Sequence, residues 1–166
     1  MPFKKIFITF ILVIFSLNAS AVTPRSTGKY KNWESFVVET DKGKICFAQT
    51  VPTKRAPAAV KRNNSKLFVT FRPSEEIKDE VSLTSGHDYK TSSVTASSGK
   101  RKYSFFSQKD FAWLLDDQEE KKFIQLMKRA TDIIVKARTA KGAETTDHYS
   151  MMGFTKAYNT AKKTCS

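Results

Sequence analysis

Hydrophobic and polar positions alternate along much of the chain from Trp33 onward. In WESFVVET, residues 33, 35, 37 and 39 fall on one side and 34, 36, 38 and 40 on the other, which is the two-residue period of a strand. DKGK supplies a turn at Gly43, and ICFAQT returns as the second strand of a hairpin. LFVTFR puts Leu67, Val69 and Phe71 on one face and Phe68, Thr70 and Arg72 on the other, and Pro73 ends it. EVSLTSG, YSFFSQ, FAWLL, DIIVKAR and TTDHYSMM read as further strands, with turns at Lys109, Asp110 and Gly142. SVTASSGK reads as a polar turn region. VPTKRAPAAVKRNNSK, with Pro52 and Pro57, reads as a surface loop. Upstream, VTPRSTGKYKN is polar and carries Pro24 and Gly28, which predicts a flexible lead-in over residues 22–32 ahead of a single domain at 33–166.

Two segments keep a different rhythm. In DDQEEKKFIQLMKRA, Phe123, Leu126, Met127 and Ala130 recur at three to four residues. Asp116, Asp117, Glu119 and Glu120 stand at its front, Lys128 and Arg129 at its end. This predicts an amphipathic helix whose charges suit its dipole, and it assigns the acids to solvent. From Gly153 the chain turns helical again: Phe154, Ala157, Tyr158, Ala161 and Cys165 make one stripe, with Lys156, Asn159, Lys162 and Lys163 off it. Many short strands with one internal helix and one terminal helix predict a mainly β fold. The expected form is an antiparallel β-sandwich or barrel-like domain.

The first residues place this domain. MPFKKIFITFILVIFSLNASA has Lys4 and Lys5, an apolar run from Ile6 to Leu17, and Ala19 and Ala21 in an A-x-A arrangement. That predicts a secretory signal peptide over residues 1–21, cut after Ala21. A bilayer span takes roughly 20 apolar residues, so no transmembrane span is expected in the mature form. The expected location is the periplasm, outer-membrane associated, or secreted. Cleavage leaves 145 residues, enough for one domain with a real core.

Charge then suggests a partner. The leader holds two of the 29 lysines and arginines and none of the 16 acids, so the net charge falls from +13 to +11. Such a field attracts anions: phosphorylated sugars, lipid headgroups or acidic proteins, with no specific nucleic acid expected after export. The alternative is that the charge serves solubility alone. Candidate anion-binding residues are Lys54, Arg55, Lys61, Arg62 and Lys66 in the acid-free loop, joined by Lys100, Arg101 and Lys102.

Cys46 and Cys165 are the two cysteines. Zinc would lack ligands and a redox pair would want C-x-x-C spacing, so in an oxidising compartment a structural disulfide is expected. It would close a loop of 118 residues, worth about 4 to 5 kcal/mol in chain entropy. His87 and His148 each adjoin an aspartate, but Asp88 and Asp147 would face away from them on a strand. Nucleophile-elbow, phosphate-loop, dinucleotide and zinc-protease motifs are missing from the chain. The expectation is a non-enzymatic protein without cofactor or metal, with a hydrolase built on His148 as its rival.

The order YKNWESFVVETDKGKICFAQT, LFVTFRP, a helix-containing middle and DHYSMMGFTKAYNTAKKTC resembles the invasion associated locus B family of exported alphaproteobacterial proteins. Its most specific parts are Trp33 with Cys46 and Phe47, then Ser150, Gly153, Phe154 and Thr155 with the late Cys165. The resemblance implies a periplasmic or outer-surface β-sandwich stapled by a disulfide and carries no catalytic residue. The family name suggests a host-invasion role through a protein receptor, beside the anionic envelope or host-surface partner that the charge suggests.

Overall fold

The computed structural model describes residues 23–166, so the predicted leader and its cut lie outside the described residues. Strands β1 (Arg25–Tyr30), β2 (Trp33–Thr40), β3 (Gly43–Thr50), β4 (Lys54–Ala56), β5 (Lys66–Arg72), β6 (Ile77–Thr84), β7 (Val94–Ser98), β8 (Arg101–Gln108) and β9 (Phe111–Trp113) precede helix α1 (Asp117–Arg129). Strands β10 (Asp132–Arg138) and β11 (Glu144–Ser150) and helix α2 (Phe154–Thr164) follow it.

The strands pair antiparallel in the order β1, β2, β3, β5, β6, β9, β8, β7, β10, β11, β4. The sheet ends at β1 and β4 and is not closed into a barrel. Strand β8 turns the corner: Arg101 to Phe105 pair with β7, and Phe106 to Gln108 pair with β9. The sheet thereby bends into a sandwich-like pair of layers, a first of β1, β2, β3, β5, β6 and β9 and a second of β8, β7, β10, β11 and β4, whose inward side chains share one core. Trp33 joins the layers, since its indole Nε1 donates to the Ser150 carbonyl at 2.9 Å.

Both helices pack into this core. The Asp116 carboxylate caps α1, accepting from the Gln118 and Glu119 N–H groups at 2.8 and 3.0 Å. Phe123 meets the rings of Tyr103 and Phe105 edge-on. In α2, Phe154, Ala157, Tyr158 and Ala161 are all buried, and Phe154 packs on Trp33 at 4.7 Å between centroids. Burying each such aromatic stabilises the fold by about 1.5–3 kcal/mol. Gly153 starts α2 at φ +97°, and a Cβ there would collide with the Tyr30 carbonyl. One turn beyond Ala161, Cys165 is disulfide-bonded to Cys46 of β3, with 5.8 Å between Cα atoms.

Three segments differ from expectation. Residues 25–30, predicted within the flexible lead-in, form β1 and pair with β2, with a register shift between Ser26 and Gly28. An edge strand buries little and so needs no apolar alternation, and the irregularity with Arg25 and Lys29 guards the edge against further pairing. Within the predicted surface loop, Lys54–Ala56 is β4, paired with β11. Prolines at 52 and 57 stand outside those three residues, as an edge permits. The predicted polar turn contains β7, which buries Val94 and Ala96 and turns Thr95 and Ser97 outward.

Candidate anion-binding face

The predicted basic cluster does not converge on one surface. The side chain of Arg62 is buried, 3% exposed, and it clamps Asp147 of β11 with two parallel hydrogen bonds, Nη1 to Oδ2 at 2.8 Å and Nη2 to Oδ1 at 2.7 Å. Its guanidinium also donates to the carbonyls of Ser85 and Ala56, both at 3.3 Å. Arg55 lies opposite Asp147 in the β4–β11 register, with Nε 3.9 Å from the same carboxylate and Nη2 donating to the Asn63 carbonyl. Both arginines therefore hold the loop to the sheet, and Arg62 is removed from the anion-binding set. A buried carboxylate requires such a partner. The phenol of Tyr149, on the same inward side, is pushed well up, first by burial and then by the charge of Asp147.

The remaining candidates separate further. Lys66 lies on the outer side of the first layer, opposite Thr84. Arg101 lines a shallow groove of about 480 Å³ with Tyr103, Lys121, Lys122 and Gln125, where Lys122 is paired with Glu119 at 2.9 Å. Lys61 and Lys100 are exposed on connections.

Lys54 and Lys102 do meet on one face. The register runs Lys102 opposite Ser97, Ser97 opposite Ile134, Ile134 opposite His148, and His148 opposite Lys54. Directly opposed residues project to the same side of a sheet, and their neighbours Tyr103, Ala96, Ile133 and Asp147 are buried inward. This row thus crosses the outer face of the second layer. A second row beside it holds Ser104, Thr95, Lys136 and Thr146. Among the described residues, Lys54, Lys102 and Lys136 form no ion pair. On the same strand phases, Glu144 pairs with Arg138 at 2.5 Å, and Asp132 accepts from the Thr131 hydroxyl at 2.9 Å.

The two histidines take separate places. His148 points outward into that row while Asp147 points inward, so the adjacent pair forms no dyad. His87 contacts the Thr145 hydroxyl through Nε2 at 3.0 Å and the Asp88 carbonyl through Nδ1 at 3.0 Å, and its ring meets Tyr89 edge-on. No cluster of three or more His, Cys, Asp or Glu side chains suited to a metal ion occurs among the described residues. No helix among them is long and apolar enough to cross a membrane.

Two features escaped the sequence reading. The first is a ladder of rings on the outer side of the first layer, Phe36, Phe47, Phe68, Phe111 and Trp113, with successive centroids 5.3, 6.1, 6.4 and 5.9 Å apart. Its signal was present: WESFVVET, ICFAQT and LFVTFR each carry a phenylalanine, Phe36, Phe47 and Phe68, on the face opposite their core residues. The second is Glu120, assigned to solvent but buried. Its Oε1 accepts from the Val81 N–H at 2.9 Å, at a cleft of about 630 Å³ shared with Glu80, Asp79, Asp117 and Trp113. Burial first, then the charges of Glu80, Asp117 and Asp79, push its carboxyl up to about 7, against the pull of the Val81 hydrogen bond.

The class these features define is a mainly β, disulfide-stapled domain with one cationic and one aromatic outer face. No family model matches the chain, and no curated protein or solved structure matches it.

Proposed function

We propose that the chain is an exported, non-enzymatic envelope protein of the invasion associated locus B type that binds an anionic partner. The observation that carries this reading is the placement of Lys54, Lys102 and Lys136, none of them ion-paired among the described residues, on one outer sheet face. A disulfide between β3 and the end of α2 is compatible with an oxidising compartment outside the cytosol. The leader-like residues 1–21 and the net charge of +11 without them agree with it. Attraction through such a face gives fast encounter and depends on salt.

Two measurements test the reading. The mature chain recovered from the envelope fraction should begin at Val22 and contain no free thiol, and it should sediment with lipopolysaccharide or anionic vesicles in a salt-dependent way. A full-length cytosolic chain, or association indifferent to salt, would remove the proposal.

A further inference from the structure

The outer face of β8, β7, β10, β11 and β4 has a composition that narrows the partner, and this inference rests on the anionic-partner reading. We infer that this face is a docking surface for an acidic polysaccharide, laid across the strands from Lys102 to Lys54. Four inter-strand steps of about 4.8 Å separate these two lysines, so the row is about 19 Å long. Lys136 sits one row over, about 7 Å away along the strand direction. The cations are therefore spaced along a track, which suits a chain bearing repeated acidic groups better than a single compact anion.

The floor between the lysines points the same way. Ser97 and His148 lie in the first row, and Ser104, Thr95 and Thr146 in the second. Hydroxyls both donate and accept, which matches a polyhydroxylated ligand whose own groups do the same. Ile134 is the one large apolar side chain within the two rows. A face that seats in a bilayer presents aromatic or aliphatic side chains to the acyl boundary, and these rows do not. Nor do they present the Phe, Tyr or Trp rings on which successive bases of a single-stranded nucleic acid stack. Charge complementarity also has little competition on the face itself, since Glu144 is tied to Arg138 and Asp132 stands at the margin.

The test uses the mature, oxidised protein, with a sulfated dextran fragment as the glycan probe and phosphatidylglycerol vesicles as the membrane probe. Lys54→Gln/Lys102→Gln/Lys136→Gln should weaken dextran sulfate binding by about tenfold or more at moderate salt. A charge-matched control, Lys42→Gln/Lys156→Gln/Lys163→Gln, removes three exposed cations elsewhere and should change it by less than about threefold. Ser97→Ala/Thr146→Val should weaken the glycan several-fold and leave vesicle binding unchanged. All substitutions are at outward positions, and circular dichroism checks that each variant is folded.

Equal losses in the face variant and the control would overturn the proposal, because the attraction would then be a property of net charge. Vesicles bound more tightly than the glycan through the same three lysines, with the hydroxyl variant neutral, would overturn it in favour of a membrane. Loss on changing Arg101, Lys121 and Lys122 alone would move the site to the groove beside α1 and leave the broader reading standing. Failure of the wild-type protein to bind either probe would remove both.

Discussion

Replacing Arg62 with methionine removes one half of a buried ion pair and keeps most of the side chain's apolar volume. Asp147, 1% exposed, is left with the Nε of Arg55 at 3.9 Å as its nearest cation. Stranding one partner of a buried pair costs about 3–5 kcal/mol, and the partly exposed Arg55 places this site toward the lower half of that range. For a domain of this size, about 3 kcal/mol corresponds to a fall of about 10 °C in Tm. Urea denaturation of the oxidised protein, followed by tryptophan fluorescence, reads the loss as a lower midpoint at unchanged slope. Lys61→Met, one residue away and exposed, should stay within about 0.5 kcal/mol. The double variant Arg62→Met/Asp147→Leu should recover most of the loss, because it removes the stranded charge together with its partner. An Arg62→Met variant no less stable than Lys61→Met would refute the clamp, as would a double variant weaker than the sum of its singles.

Glu120 gives a pH dependence of the opposite sign to an ordinary carboxylate. Its folded-state pKa of about 7 lies above the usual 4.5, so its favourable contribution is present below about pH 4.5 and is lost as pH rises to about 7. Glu120→Gln keeps an acceptor for the Val81 N–H, so it should be more stable than wild type at pH 8 by about 1–3 kcal/mol. That gap should close by about pH 4.5 in paired denaturation curves, and a pH-independent gap would contradict the assignment. Cys165→Ser should cost about 4 kcal/mol. Wild type treated with reductant should match it, and equal midpoints for the oxidised and reduced protein would show that the bond constrains nothing.

Elements that bury one face announced themselves through periodicity, and elements at an edge did not. Trp33, Val37, Leu67 and Val69 alternate because the core lies on one side of their strands, and the stripe from Phe154 to Cys165 follows the helical period for the same reason. RSTGKY and KRA carry no such signal, since β1 and β4 each pair on one side only. The cationic candidates were chosen by local charge, and charge does not report direction. Arg62 sits in an acid-free, proline-flanked stretch that looks solvated, yet its partner lies 85 positions away. A clue was available at Asp147, which takes the inward phase of its strand between Thr145 and Tyr149 and so demanded a cation. Lys136 was overlooked because its neighbours on the face come from other strands, and register is set by turns and pairing beyond the reach of a local window.

Chain order gives the terminal helix a temporal meaning. A polypeptide delivered from its amino end presents β1, β2 and β3 early, with the inner side of Trp33 and the Cys46 thiol awaiting residues 154–165. The hairpin that begins the domain is therefore completed by a segment that follows Cys46 by more than a hundred residues. Until Cys165 arrives, the nascent protein is an unfinished layer with an unpaired cysteine. A chain halted before residue 154 would leave the first strands without the surface that covers them.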